Sequence, residues 1–333
     1  MRAMQLRDPA PIENRPLEPI ERTIPTPEPG EVVLRVDACG VCRTDLQLAE
    51  GDLALHRRPV VPGHQAVGRV VAMADDVQSF RIGDRAGVAW LASACGQCDR
   101  CREGRENLCL DARFTGWDRD GGFATHIAVR ADFALKIPVS FDDLAAAPLL
   151  CGGVIGYRAL KISGVRPGQR LGLYGFGASA LLALQVARHW GCEVYVATRS
   201  AREQARALEL GAIWAGGYDD APPAKLDAAV TFAPVGSVVV AALQSLDRGG
   251  TVAINAIHLD GIPAFSYDDL WWERSLRSVA NFTRQDAREL LELASEIPIR
   301  TSFDLYPLED ANRALADLRA GHVNGAAVLD CRA

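Results

Sequence analysis

The chain has 333 residues, which at roughly 150 residues per domain points to two domains. With 49% hydrophobic and 23% charged residues it has the composition of a globular protein, not of a disordered or fibrous one. Its net charge is −6, from 36 Lys+Arg against 42 Asp+Glu, and no basic stripe is concentrated anywhere, which argues against a nucleic-acid partner.

Met1 to Pro11 carries Arg2, Arg7 and Asp8 without an apolar segment, so no secretory signal is expected there. The longest uncharged run, between Asp227 and Asp247, is interrupted by Pro234, Gly236, Ser237 and Gln244, which suits a strand, loop and helix better than a membrane span. The expectation is a cytoplasmic protein with no membrane partner. Nine cysteines, an odd number, point away from a disulfide framework and toward thiolate chemistry or metal.

In chain order, the alternating segment Val32-Val33-Leu34-Arg35-Val36-Asp37 predicts a strand ending at a turn. Gly40-Val41-Cys42-Arg43-Thr44-Asp45 follows, and then Pro62-Gly63-His64-Gln65. From Ala92 to Asp111 the apolar period disappears, and Cys95, Cys98, Cys101 and Cys109 are spaced C-x2-C-x2-C-x7-C among Gly96 and Gly104. Four sulfurs in one short loop can close a tetrahedron around zinc. Such a site has no open position, so it staples a loop that cannot bury its own backbone and does no chemistry. Four free surface thiols, or an iron–sulfur cluster lacking its usual C-x2-C-x2-C-x3-C-P run, are the alternatives.

Leu149-Leu150-Cys151-Gly152-Gly153 comes next. From about Gly168 strands alternate with helices, the pattern of a parallel sheet with crossover helices. Leu171 to Tyr174 reads as a strand, Leu181 to Trp190 as a helix stopped by Gly191, and Val194 to Ala197 as the next strand. Between the first two lies Gly175-Phe176-Gly177-Ala178-Ser179-Ala180, a G-x-G-x-x-A turn. Gly175 would make the tight turn, Gly177 would let a pyrophosphate approach the backbone, and Ala180, Ala183 and Ala187 would let the helix lie close to the sheet. The prediction is a bound dinucleotide. Further elements are expected at Asp227 to Phe232, Ser237 to Leu246, Thr251 to Ala256, Leu276 to Asn281 and, as a helix, Leu308 to Leu318.

Together, G-V-C-R-T-D at 40–45, P-G-H-Q at 62–65, the cysteine loop, Leu149 to Cys151 and the turn from Gly175 resemble, in order and spacing, the zinc-dependent alcohol dehydrogenases of the medium-chain dehydrogenase/reductase superfamily. The resemblance runs essentially end to end. It implies an α/β fold, with a Rossmann-type parallel-sheet domain over 149–283. A β-rich, GroES-like catalytic domain would span 1–148, including a structural zinc loop at 92–111, and would be completed by 284–333. It also implies two zinc ions per chain, the catalytic one held by Cys42, His64 and Cys151, a set that leaves one position for water or substrate.

The chemistry such an ion supplies is large. Hydride leaves an alkoxide far more readily than a neutral alcohol, and zinc can lower the pKa of bound water from ~15.7 to ~7. At ~1.36 kcal/mol per unit that is worth about 12 kcal/mol. In reverse the ion polarises a carbonyl.

By the same resemblance Thr44 hydrogen-bonds the substrate oxygen and opens a proton relay, and Asp45 is the carboxylate that orients the zinc site. On the residues alone both read equally well as turn residues. Gln65 stands where the family carries a Glu, and Gln47 where many members carry a His that passes the proton to solvent. Gln cannot shuttle a proton by changing its charge, so the relay would end in water or another residue. Trp90 matches an aromatic position lining the substrate pocket and suggests small primary alcohols or aldehydes, a core Trp being the alternative.

Thr198 falls where NAD-specific relatives carry an acidic residue for the ribose hydroxyls, and Arg199 follows at once. This favours NADP(H), with NAD(H) held through a Thr contact as the alternative. Arg43 matches a position that pairs with the pyrophosphate, and Asn324-Gly325-Ala326 has Ala where many relatives carry Arg. Ala233, Ala256 and Ala280 would border the nicotinamide ring. Cys39, Cys192, Cys331, His56, His126, His189, His258 and His322 receive no role. A homodimer or homotetramer is implied by the resemblance alone.

The function expected is hydride transfer between an alcohol, its aldehyde or ketone, and NAD(P). A reductase of activated C=C or C=N bonds on the same scaffold is compatible with Gln65 and Gln47. A non-catalytic zinc- and nucleotide-binding homologue would normally lack one of the three ligands, and all three are present.

Overall fold

The structure, a computed structural model, describes residues 1–297 and 299–332. It divides into two units, Met1–Cys151 with Thr283–Ala333, and Gly152–Phe282. The division falls just after Cys151, so that thiol stays with the first unit.

In the first unit, the segment that alternates at 32–37 does not end at a turn. Strand β1, Glu31–Val41, runs on through Gly40 and Val41, and Arg35 is its only exposed residue. A strand covered on both faces carries no clean period-two signal beyond its exposed position, which is why the pattern understates its length. Helix α1, Arg43–Glu50, begins at once, with Cys42 as its N-cap. Thr44 and Asp45 therefore lie in a first helical turn.

Strand β2, Ala66–Met73, pairs antiparallel with β1, from Cys39↔Ala66 to Val32↔Met73. Strand β3, Arg85–Val88, extends the sheet from β2. Strand β4, His126–Arg130, pairs with β1 over 31–35, and strand β5, Leu135–Lys136, pairs with β3. The rest of β1 finds its partner far along the chain: Ala326–Asp330 pairs antiparallel with residues 38–41 and parallel with Phe303–Pro307. The core so enclosed includes Leu34, Val36, Leu48, Phe123, Leu315 and Leu329. The helix expected over 308–318 is a 3-10 turn, Leu308–Asp310, leading into Ala311–Ala320.

The second unit opens with α2, Gly152–Ser163. It continues with β6 (Arg170–Tyr174), α3 (Ala178–His189), β7 (Glu193–Ala197), α4 (Ala201–Glu209), β8 (Trp214–Gly216), β9 (Leu226–Thr231), α5 (Gly236–Ser245), β10 (Leu246–Ile254) and β11 (Ser275–Ser278). The strands lie in the order β8-β7-β6-β9-β10-β11, with every neighbouring pair parallel. Counted from β6 this is 3-2-1-4-5-6, the doubly wound dinucleotide-binding order.

Differences from the sequence reading are local. Helix α3 starts three residues before Leu181, because its first turn is the small-residue end of the glycine turn and has no apolar stripe. Strand β11 stops at Ser278, before Asn281, whose φ of 60° is incompatible with an extended strand. Strand β8 has no counterpart in the sequence reading; it is only three residues long. One stretch, Asp143–Ser163, is long and apolar enough to cross a membrane, but 61% of its apolar window is buried inside the protein and the backbone breaks at Cys151 (φ −130°, ψ −73°). That is how a core segment behaves.

The C-terminal return is tied to the cysteine loop by charge. Glu106, buried between Cys101 and Cys109, accepts hydrogen bonds from both the backbone N–H and Nε of Arg284, each at 3.0 Å. Burial alone would raise the Glu106 carboxyl, but the backbone amides of Glu106 and Arg284, and then the Arg284 guanidinium, hold it below the ordinary carboxylate range. A depressed folded pKa gives stability that is complete above the unfolded value and is lost as the pH falls through the folded one. Glu106→Gln should therefore lower unfolding stability by about 1–3 kcal/mol at pH 7. The gap from wild type should close on acidification below the usual carboxylate range, as read by denaturant titration of both proteins at each pH.

Candidate functional site

The end of β1 delivers Cys42 to the N-terminus of α1, and Asp45 follows one turn later, fully buried. Asp45 Oδ2 accepts a hydrogen bond from the Cys42 N–H at 2.9 Å. Its Oδ1 accepts one from the Gly63 N–H at 3.0 Å and stands 3.2 Å from His64 Nδ1. Gly63 is needed here: its φ is +94°, and a Cβ would meet the Phe123 ring at 2.4 Å. One carboxylate thus fixes the backbone of Cys42 and the ring of His64 together.

With Nδ1 turned to Asp45, His64 Nε2 is the ring nitrogen left over, and it is buried with no hydrogen-bond partner. The Cys42 and Cys151 sulfurs lie 3.7 Å apart, and the three ligand atoms are all within 4.8 Å of one another. At a Zn–S distance of about 2.3 Å a tetrahedron sets two sulfurs about 3.8 Å apart. An orphaned imidazole nitrogen beside two sulfurs at that spacing fits a tetrahedral zinc. Thr44 is buried beside them, its Oγ1 3.9 Å from the Cys42 sulfur.

The charges agree with a cation site. Burial would pull the His64 imidazolium down, but the charge and hydrogen bond of Asp45, with help from the Cys42 sulfur, hold it up at about 10. The hydrogen bond from Cys151 pulls the Cys42 thiol well below its ordinary range, and the same contact, with burial, pushes Cys151 well above it.

Cys95, Cys98, Cys101 and Cys109 also bring their sulfurs within 4.8 Å of one another. The one-turn helix Asp99–Arg102 and the 3-10 turn Glu106–Leu108 fold the loop back on itself. Cys95 and Cys101 are 3.9 Å apart, and Cys95 accepts the Cys98 N–H at 3.3 Å. The amides of Gln97 and Cys98 hold Cys95 down at about 6, while desolvation pushes Cys101 up to about 12. These are four donors arranged to share one ion.

Trp90 is half-buried with its ring 5.9 Å from that of His64. It packs on Phe114 at 4.9 Å and Trp117 at 6.1 Å, and Trp117 stacks on His56 at 3.8 Å. Asp118, half-buried, takes the Phe114 N–H at 2.8 Å and pairs with His56 Nδ1 at 2.9 Å, while Trp117 Nε1 donates to the Ala54 carbonyl at 2.8 Å. The buried Gln65 side chain covers Gly40, where a Cβ would lie 2.8 Å from Gln65 Oε1. Gln47 is half-buried on α1, and Arg43 is exposed at its start.

In the second unit Gly175 takes φ +90°, where a Cβ would meet the Ala233 N at 2.8 Å. Phe176 and Ala180 are buried, Gly177 is exposed, and Ala178 and Ser179 are half-buried. A Cβ on Gly177 would meet nothing within 4 Å, and α3 begins there with no side-chain cap. An uncapped helix start behind an open glycine is an arrangement that can accept a pyrophosphate. Ala233, Ala256 and Ala280 follow the carboxyl ends of β9, β10 and β11, and Thr198 and Arg199 follow that of β7, on the sheet edge where such folds bind ligands.

Residues 28–139 match the model of the alcohol dehydrogenase GroES-like domain, and residues 180–296 that of the zinc-binding dehydrogenases. The "probable alcohol dehydrogenase AdhA" of Mycobacterium tuberculosis is 50% identical over 335 residues, covering 99% of this chain and 97% of the relative. The chain belongs to the zinc-binding alcohol dehydrogenases. An alcohol dehydrogenase of Geobacillus stearothermophilus is 36% identical, covering 94% of both chains. Among solved structures, a cinnamyl alcohol dehydrogenase of Sorghum bicolor superposes with TM-score 0.90 at 26% identity, over 99% of this chain and 97% of that one. A thermostable alcohol dehydrogenase of Pyrobaculum aerophilum superposes with TM-score 0.90 at 25% identity, over 99% of each.

The dehydrogenase is therefore an enzyme of alcohol and aldehyde interconversion that uses zinc and a nicotinamide nucleotide. Sequence reasoning missed the outer aromatics: Phe114 and Trp117 sit just beyond the last cysteine, and His56 was left without a role. It also missed Glu203, whose carboxylate meets Thr198 (below). The signal available was Ser200-x-x-Glu203, a helix-start pattern placed right after a strand.

Zinc must displace the protons on His64 and Cys151, so its affinity for this trio should climb about tenfold to a hundredfold per pH unit between pH 6.5 and 8. Asp45→Asn should weaken it about 10- to 100-fold while leaving the four-cysteine loop metallated. Chelator competition with metal analysis reads both.

Proposed function

We propose that the dehydrogenase interconverts small primary alcohols and their aldehydes with NADP(H), holding its catalytic zinc on Cys42, His64 and Cys151 and a second, structural zinc on the four-cysteine loop. The observation that carries this reading is the unpartnered, buried His64 Nε2 beside two sulfurs 3.7 Å apart, with the Thr44 hydroxyl at their edge.

When bound, the zinc supplies Lewis acidity that eases loss of the alcohol proton and polarises the carbonyl in reverse. The chain's own residues do the rest. Thr44 orients the substrate hydroxyl and accepts its proton as its own passes on. Gln47 can hydrogen-bond but cannot hold that proton, so the relay ends in water. Asp45 keeps His64 in the tautomer that presents Nε2. Trp90, backed by Phe114, walls off space beside the ligands and excludes bulky substituents. Gly175 to Ala180 and the start of α3 take the pyrophosphate, and Ala233, Ala256 and Ala280 leave room for the nicotinamide ring. The absence of a carboxylate at Thr198 and the exposed Arg199 after it support the 2′-phosphorylated coenzyme.

A homo-oligomer in the cytoplasm completes the reading. Among the described residues strand β11 ends its sheet without a neighbour, and Tyr267, Trp271 and Trp272 are exposed just before it, a patch and an edge that a second copy would cover.

An alcohol panel with both coenzymes tests the activity. Cys42→Ala should abolish turnover while the fold persists by circular dichroism, and Thr44→Ala should lower kcat about 10²- to 10⁴-fold. Trp90→Ala should move kcat/KM toward branched and aryl alcohols; unchanged selectivity would remove Trp90 from the pocket. Replacing Trp271 and Trp272 with Asp should reduce the mass in sedimentation to that of one chain.

A further inference from the structure

The Ala197 carbonyl at the end of β7 accepts the Gly175 N–H at 2.8 Å, so Thr198 stands directly beside the first glycine of the dinucleotide turn. In such a unit a carboxylate about 20 residues beyond that glycine accepts the 2′-hydroxyl of the adenosine ribose, whereas a nearby Arg accommodates a 2′-phosphate. The strand end itself offers only Thr198.

A carboxylate reaches the same place by another route. Glu203, in the first turn of α4, turns back and accepts the Thr198 hydroxyl at 2.5 Å. Its own N–H is held by Ser200 Oγ at 3.3 Å, and Gln204 Nε2 donates to the Thr198 carbonyl at 2.7 Å, which closes residues 198–204 into one knot. Tyr218, after β8, feels the charges of both Arg199 and Glu203. A cation and an anion therefore sit together where the ribose would be read.

We propose that Glu203, anchored on Thr198 beside Gly175, reads the 2′ position of the adenosine ribose. Its carboxylate accepts the 2′-hydroxyl of NAD(H) and repels the 2′-phosphate that Arg199 attracts, so the dehydrogenase works with both coenzymes and its NADP(H) preference is held in check. The inference rests on the dinucleotide reading of the glycine turn.

The test is calorimetric binding of 5′-ADP and 2′,5′-ADP to the zinc-loaded wild type, Glu203→Gln, Glu203→Ala and Arg199→Ala, alongside kcat/KM for NADH and NADPH. Both Glu203 variants should shift the ratio of affinities toward 2′,5′-ADP by about tenfold or more, the size of one charged hydrogen bond, and Arg199→Ala should shift it the opposite way. The coenzyme kcat/KM ratios should follow. If both nucleotides bind the wild type but the Glu203 variants change the two affinities equally or not at all, Glu203 is only a helix-start residue and the inference fails alone. If neither nucleotide binds the wild type, the dinucleotide reading fails with it.

Discussion

Asp45 is the constraint on which the candidate metal pocket depends. A carboxylate buried without solvent survives only when its oxygens are hydrogen-bonded, and here the donors are the amides of Cys42 and Gly63 with the His64 ring close by. Satisfying the acid and placing the ligands are therefore the same event. The start of α1, the left-handed turn at Gly63 and the end of β1 all converge on it. Because the negative charge lies behind the imidazole, the donors in front of it gain affinity for a positive ion, which is the direction in which His64 is displaced.

The second unit solves a different problem with backbone alone. Gly175 adopts a left-handed conformation that favours glycine, and Gly177 puts no side chain over the uncapped start of α3. A helix start without a cap is costly unless an anion replaces it. The first unit thus concentrates charge in side chains to hold a cation, whereas the second withholds side chains to admit an anion.

Much of this was legible in the chain of letters because the informative residues are chemically rare and locally spaced. The four cysteines lie within fifteen residues and the G-x-G turn sits between a strand and a helix, so neither needs tertiary information. Cys42, His64 and Cys151 are over a hundred residues apart end to end, and only the family resemblance linked them before the distances did. What stayed hidden is of two kinds. Strand β1 beyond Asp37 is covered on both faces, so its period vanishes. Glu203, Phe114 and Trp117 act through side chains that reach back across a turn or stack on residues from another loop, and one-dimensional spacing carries no trace of such reach. The outer wall of the pocket and the ribose-reading carboxylate belong to this second kind.

The interrupted first unit has a consequence for how the chain is made. Residues 38–41 of β1, which lead straight into Cys42, pair with residues 327–330, so this strand edge stays bare until that distant segment has left the ribosome. Residues 152–282, by contrast, contain every strand of their own sheet and can complete it during synthesis, as autonomous segments of nascent proteins do. Biogenesis therefore runs inside out: the inserted segment can mature first, and the strand that leads into Cys42 gains its last partner only afterwards.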